Sequence, residues 1–260
     1  VPVSVHASSP RFLFFWNNKV ASRSILHALE GTFPGVRTYP QPAFRPPAGD
    51  GDWPRFLVVR DPWARAVSCY RNKCRDALAG LKRNGGLEPC QKHLLVALGA
   101  WPSGAEGGAR RLAGLSFADF AALLPAVRDG NSHFRLQGEV LLDAAPVPSR
   151  APWLVRASGA GLRVARTHYL TPALLAPSAA RLDREARAAA GNARATVLRL
   201  EDLPDAWTVV EDGLGVRVPL PWHTRTATDG DWKDEYDPAT SALVGRTYAA
   251  DVAAFGYQAP

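Results

Sequence analysis

Short, unbroken apolar runs alternate along this chain with longer stretches whose apolar residues recur every three or four positions. The densest run is Phe12-Leu13-Phe14-Phe15-Trp16, closed by the polar pair Asn17 and Asn18. A run this short and this aromatic predicts a strand covered on both faces. The pattern predicts a strand at 11–16, a loop at 17–22 and a helix at 23–30. The order then repeats, with a strand at 55–60 and a helix at 62–75 that carries Pro62 in its first turn, where proline is tolerated. Ser116 predicts the cap of a helix at 117–127, with Asp119 in its first turn. Further on, a strand at 196–200, a helix at 203–213 and a closing helix at 238–253 are expected. The weaker patterns predict an arm or edge segment at 1–10, a Pro/Gly-rich loop at 40–54, a turn at 82–86, a flexible connection at 99–108 and a loop at 219–231. A strand at 162–165 and an Arg/Ala-rich helix at 172–190 complete the expectations. Strands alternating with helices predict an α/β fold, a three-layer sandwich with a mostly parallel central sheet flanked by helices.

Composition narrows this picture only slightly. A chain of 260 residues with 47% hydrophobic and 21% charged residues is ordinary for one folded domain, so a single domain over 1–260 is expected. The apolar runs are too short to span a membrane, and the first residues lack the basic-then-apolar pattern of a secretory leader. A net charge of +7 implies an anionic partner without naming it. Only five of the basic residues are lysines (Lys19, Lys73, Lys82, Lys92 and Lys233), and two of them fall in the motifs described next. Three cysteines, Cys69, Cys74 and Cys90, cannot all pair internally. They read as free or buried thiols in a reducing compartment, with a Cys74–Cys90 bridge as the alternative. No Cys-x-x-Cys spacing marks a zinc site, and no metal is expected.

Two segments carry candidate chemistry. In the first, the strand ending at Trp16 leads through Asn18-Lys19-Val20-Ala21-Ser22-Arg23-Ser24 into a helix. A strand–loop–helix N-terminus offers backbone N–H groups and the positive end of a helix dipole to a phosphate. Lys19 and the hydroxyls of Ser22 and Ser24 add charge and donors there, while Arg23 either joins them or points outward. The loop contains no glycine and is not a Walker A sequence. The second segment, Val59-Arg60-Asp61-Pro62-Trp63-Ala64-Arg65-Ala66-Val67-Ser68-Cys69-Tyr70-Arg71-Asn72-Lys73, repeats the arrangement, and Arg60 and Ser68 could face one anion. Read singly, each segment is also compatible with a plain strand–helix connection.

Together the two segments resemble the sulfotransferases that use 3′-phosphoadenosine 5′-phosphosulfate (PAPS), of the carbohydrate sulfotransferase type. That family's first loop reads P-K-V-A-[SC]-[TS]-[ST], with Asn18 here in place of proline and Arg23 at a small-hydroxyl position. Its second motif reads V-R-D-P-F-x-R-x-x-S-x-Y-x-N-K, matched here over 59–73. Asn131-Ser132-His133-Phe134-Arg135-Leu136-Gln137 resembles the family's D-x-H-W-x-P-Q element. Glu201, Asp202 and Leu203, then Trp207 and Leu214-Gly215, resemble its strand–E-x-L–helix segment, and Leu220-Pro221-Trp222-His223-Thr224-Arg225-Thr226 resembles the loop that follows. Tyr248, Asp251 and Phe255-Gly256-Tyr257 resemble its closing Y-x-x-D-x-x-x-F-G-Y. An insert at about 144–192 matches nothing in the pattern.

The resemblance implies a P-loop-like, cytoplasmic sulfotransferase that takes PAPS as donor, leaves adenosine 3′,5′-bisphosphate (PAP), and sulfates a hydroxyl of a carbohydrate or glycosylated small molecule. It implies Lys19 as the leaving-group cation, with Val20, Ala21, Ser22, Arg23 and Ser24 around the 5′-phosphate. It implies Arg60 and Ser68 on the 3′-phosphate and Thr224, Arg225 and Thr226 in a loop over the cofactor, although those three also suit a plain turn. His133 is the favoured general base, with a pKa near neutrality expected. His168 and Glu139 are the alternatives. His6 reads as a terminal residue and His27 as a helix-face residue, while Trp63 and Tyr70 either stack on adenine or belong to the core. Two other classes compete: a P-loop-type kinase, which lacks its Walker A and magnesium-binding aspartate here, and a basic nucleic-acid-binding protein, whose interleaved aromatic and basic module is absent.

Overall fold

A computed structural model describes residues 2–8, 10–40, 53–100, 104–138, 195–220 and 230–260. Five strands form one mixed sheet: β1 (Pro2–His6), β2 (Phe12–Phe15), β3 (Arg37–Pro40), β4 (Arg55–Val59) and β5 (Thr196–Arg199), in the spatial order β3-β1-β2-β4-β5. The parallel part is β2-β4-β5, in the register Phe14↔Phe56 and Leu57↔Val197. β1 runs antiparallel to both β2 and β3.

The sheet is therefore mixed rather than mostly parallel, and within the segment expected as an arm or edge, Pro2–His6 is an inner strand. The connection from His6 to Phe12 is too short for the crossover that a parallel pair needs, so the chain folds back as a hairpin. The His6 Nδ1–H closes that turn on the Pro10 carbonyl at 2.6 Å. Polar side chains then fasten the hairpin from inside. Trp16 donates its indole N–H to the Ser4 hydroxyl at 2.8 Å, and Ser4 shares a 2.7 Å hydrogen bond with Thr38 of β3. β3, whose short run gave no signal of its own, takes the edge beside β1.

Helices cover both faces, as the alternation of elements predicts. Phe12, Phe14 and Trp16 pack on one side with Phe56, Val58 and Leu198 against α1 (Ser22–Thr32) and α7 (Leu203–Leu214). Leu13, Phe15, Leu57 and Val59 face the other way, towards α2 (Pro62–Tyr70), α4 (Pro89–Ala97), α5 (Ala105–Ala113), α6 (Phe117–Val127) and α8 (Pro238–Thr247). Burial on both faces is why β2 and β4 read as unbroken apolar runs. α3 (Ala77–Asn84) and α9 (Ala249–Phe255) complete the described α-helices.

Several boundaries differ from expectation. The helix expected at 62–75 is α2 continued through a π-helical turn at Arg71–Arg75. Residues 82–84 belong to α3, which stops at Gly85 because its left-handed backbone (φ 68°) cannot continue the helix. The last part of the connection expected at 99–108 is already α5. The closing helix breaks at Tyr248 into α8 and α9. Ser116 caps α6 as expected, accepting from the Asp119 N–H at 3.1 Å while Asp119 bonds back. Expectations at 162–165 and 172–190, and most of the loops at 40–54 and 219–231, lie outside the described residues. Among the described residues no helix is long and apolar enough to cross a membrane.

The close packing of α8 on α2 is open to test. A Cβ on Gly245 would stand 3.0 Å from the indole of Trp63, which is buried and anchored by its N–H on the Ser241 carbonyl at 2.9 Å. Gly245→Val should lower unfolding stability by about 1–3 kcal/mol through overpacking, read from denaturant melts.

Candidate functional site

The parallel pairing of β2 with β4 brings their C-terminal ends side by side, and the two motifs emerge from those ends. In the first loop, Lys19 (φ 69°) and Ala21 (φ 61°) are the non-glycine residues with left-handed backbone among the described residues. Such a conformation costs an L-residue about 1–2 kcal/mol, and strain of this kind concentrates where a loop is shaped for a ligand. Left-handed residues next to a helix start turn successive N–H groups into a concavity suited to an anion. α1 begins at this point with no side-chain cap and no acidic residue in its first turn, whereas α6 and α8 are capped by Ser116 and Asp237. Val20 is buried, Ser22 and Ser24 are half-buried, and Arg23 is exposed.

The second motif opens with Pro62 in the first helical turn, as expected, and with a cap not foreseen from the sequence. Asp61 caps α2, accepting from the Trp63 and Ala64 N–H groups at 2.8 and 2.9 Å, with Pro62 in the first turn. Arg60 reaches across to the first motif, where its Nη1 donates to the Lys19 carbonyl at 3.1 Å. Burial pushes the ionisation of both Lys19 and Arg60 below its ordinary range, with Arg60 and Lys73 lowering Lys19 further and Arg65 lowering Arg60. Two cations are thus crowded together away from water, an arrangement that an anion would relieve. Ser68 lies half-buried on α2. Trp63 and Tyr70 are core residues, Tyr70 packing on Phe117 and Phe120 and donating its hydroxyl to the Leu115 carbonyl at 2.9 Å.

A third segment, 131–138, closes the site from above. Asn18 donates to the Ser132 hydroxyl at 3.0 Å, and buried Asn17 donates to the carbonyls of Val58 and Gln137. Arg65 is the hub that sequence reasoning missed. It is 2% exposed, and its guanidinium donates to the carbonyls of Asn18 (3.3 Å), Arg135 (2.9 Å) and His133 (3.2 Å). One planar fork with several donors can tie two loops together in a way a lysine cannot. Its position inside the second motif was the available signal.

His133 is brought to the same place. Its backbone N–H and ring Nδ1 both lie on the Asn131 amide oxygen, at 3.0 and 3.1 Å. That oxygen only accepts, so Nδ1 carries the proton and Nε2 is left as the proton acceptor. The expected pKa near neutrality is corrected by its surroundings. Burial, with Lys73, Lys19 and Arg65 adding to it and Glu88 opposing, pulls the imidazole down to about 4. His6 is buried against Phe12 and Phe33, and His27 is exposed on α1. His168, Glu139, Thr224, Arg225 and Thr226 lie outside the described residues.

Lys73 and Glu88 also border the site. The π-helical turn buries Lys73, whose ammonium donates to Glu88 at 2.7 Å. Burial raises the Glu88 carboxyl, but Lys73 outweighs it and the net shift is downward. Glu88, Cys90 and His133 place one oxygen, one sulfur and one nitrogen within 4.8 Å of one another, a donor set that could hold a metal ion. As arranged, the carboxylate is paired with an ammonium, and burial pushes the Cys90 thiol up to about 12, so it is protonated at neutral pH. Cys69, Cys74 and Cys90 are all free and buried, so the alternative Cys74–Cys90 bridge is not formed. Lys73 was legible as one of two motif lysines, whereas nothing in the sequence marked Glu88.

No protein-family model, curated protein or solved structure matches the chain.

The depressed His133 pKa gives a signed expectation. Between the ordinary value of 6.5 and about 4, the unfolded chain binds a proton that the folded chain refuses. Stability should therefore fall by up to about 3 kcal/mol as the pH drops through that window, and His133→Gln should flatten the slope. Denaturant melts across the window check this, with the histidine NMR titration as the direct reading.

Proposed function

We propose that the chain is a PAPS-dependent sulfotransferase with a P-loop-like nucleotide site. The observation that carries this reading is the hydrogen bond from Arg60 to the Lys19 carbonyl, which joins two strand-end anion motifs into one site. A donor with phosphates at both the 5′ and 3′ positions needs two such motifs, and a mononucleotide such as ATP needs only one. The glycine-free loop with left-handed Lys19 and Ala21, opening an uncapped helix, suits the 5′-phosphate. Arg60, with Ser68 on α2, suits the 3′-phosphate. The acceptor class, a carbohydrate or glycosylated hydroxyl, follows from the resemblance of the motifs alone, as does a cytoplasmic location.

In this reading the acceptor oxygen attacks the sulfur while the bond from sulfur to the 5′-phosphate oxygen breaks. PAP departs and the acceptor's proton passes to His133 Nε2. The Lys19 ammonium meets the charge growing on the bridging oxygen, an interaction stronger in the transition state than in the ground state. A neutral His133 held by Asn131 is available to take a proton at neutral pH, and the negative charge of a bound donor would raise its pKa towards the useful range.

PAP should raise the melting temperature where ATP does not. Arg60→Ala should weaken PAP by about 2–4 kcal/mol in calorimetric titration while leaving adenosine 5′-phosphosulfate, which lacks the 3′-phosphate, nearly unchanged. Equal losses for the two ligands would move Arg60 to the 5′ end of the site. Lys19→Ala should cut turnover by about 10²–10³ with a smaller loss of PAP affinity. Turnover close to wild type in that variant would remove Lys19 from the chemistry.

A further inference from the structure

Arg60 has a rival for its guanidinium inside the protein. Of the charged groups that act on Arg60, Glu201 is the strongest, and it lies two residues past the end of β5, the strand beside β4. Its carboxylate is nonetheless engaged elsewhere. One oxygen accepts the backbone N–H of Asp61 at 2.9 Å, and the other accepts the hydroxyl of Tyr257 at 3.1 Å. We propose that Tyr257 is a positioning residue, a latch that holds Glu201 away from Arg60 and so leaves the guanidinium donors not bonded to the Lys19 carbonyl available to an anionic ligand, the 3′-phosphate in the reading above.

The position of the Tyr257 hydroxyl is itself heavily constrained. Gly256 ends α9 with a left-handed backbone (φ 66°), and a Cβ there would stand 2.9 Å from Arg199 Nη2. The same Arg199 nitrogen donates to the carbonyls of Phe255 and Gly256, and its guanidinium lies 4.9 Å from the centre of the Tyr257 ring. Arg199 thus fixes both the turn and the ring that follows it, and the ring presents its hydroxyl to Glu201. Burial, with Glu201 adding to it, raises the Tyr257 pKa, so the hydroxyl keeps its proton and remains a donor at any working pH.

A parallel support holds the backbone of Arg60. The Gln137 amide accepts from the Arg60 N–H and donates to the Arg60 carbonyl, both at 2.8 Å. Asp251 on α9 accepts from the Gln137 N–H at 2.8 Å. Asp251 through Gln137 fixes the Arg60 peptide, while Tyr257 through Glu201 fixes the charge beside its side chain. The first support runs through the buried side chains of Gln137 and Asp251, and its loss would threaten folding. The second removes a single hydroxyl and can be tested cleanly.

The experiment is a double-mutant cycle of Tyr257→Phe and Glu201→Gln in the full chain, read by PAP titration and by thermal melting. Tyr257→Phe should weaken PAP about three- to tenfold, the scale of losing one hydrogen bond to a charged group and gaining a competing ion pair, with the melting temperature within about 2 °C of wild type. Glu201→Gln added to it should restore wild-type affinity, because a neutral amide does not compete for the guanidinium. Unchanged affinity in Tyr257→Phe, or equal losses in the single and double variants, overturns the latch. The inference rests on the sulfotransferase reading only for its ligand, so a second measurement without ligand separates the two. The Arg60 Nε–H resonance should shift in Tyr257→Phe and return in the double variant. Should PAP fail to bind the wild type, the proposed function falls, and this resonance alone decides the latch: movement and return support it, and a fixed position overturns it.

Discussion

The parallel pairing of β2 with β4 is the constraint on which the site depends. Strands in register with Leu13 beside Arg55 and Phe15 beside Leu57 must end at the same edge of the sheet, and each then turns into a helix on an opposite face. Crevices beyond the C-terminal ends of parallel strands are where open α/β sheets offer N–H groups and helix starts to ligands. Lys19 and Arg60 are separated by 41 positions in sequence, yet they meet because two strands end together.

Everything packed around that edge holds polar backbone in place. Arg65 is buried and takes three carbonyls, Gln137 takes both polar groups of the Arg60 peptide, and Asn17 bridges β4 to the 131–138 segment. A buried charge without partners would be costly, so each of these side chains is tolerated only because its donors are occupied. The Asp251 carboxyl, raised by burial and opposed by Arg65, is retained by the N–H groups of Gln137 and Gly138. The C-terminal helices thereby become part of the site's frame.

Cations from several segments meet at the centre of the site. Lys19, Lys73, Arg60 and Arg65 all act on one another or on His133, and Glu88 and Glu201 answer them from the margins. The consequences are a histidine kept neutral well below its ordinary pKa and a Lys19 ammonium weakened by burial and by its cationic neighbours. Both conditions favour a multiply charged anion that arrives with its own negative charge, and both would relax once it is bound.

The sequence by itself determined the local elements and the residue types at the two strand ends. Apolar runs sandwiched between helices, the Pro62 helix start and the Ser116 cap are written in consecutive residues, so they are legible without partners. What only the tertiary structure decided is non-local. β1 became an inner strand because a short turn forces an antiparallel return and because Ser4 meets Trp16 and Thr38. The role of Arg65 depends on three carbonyls distant in sequence, and the His133 pKa depends on cations from other segments. Lys73 was buried by a π-helical turn that no pattern announced, and there its ammonium meets Glu88. Hydrogen bonds and charge effects depend on distance in space rather than on position along the chain, and that is why these features appear only once the chain is folded.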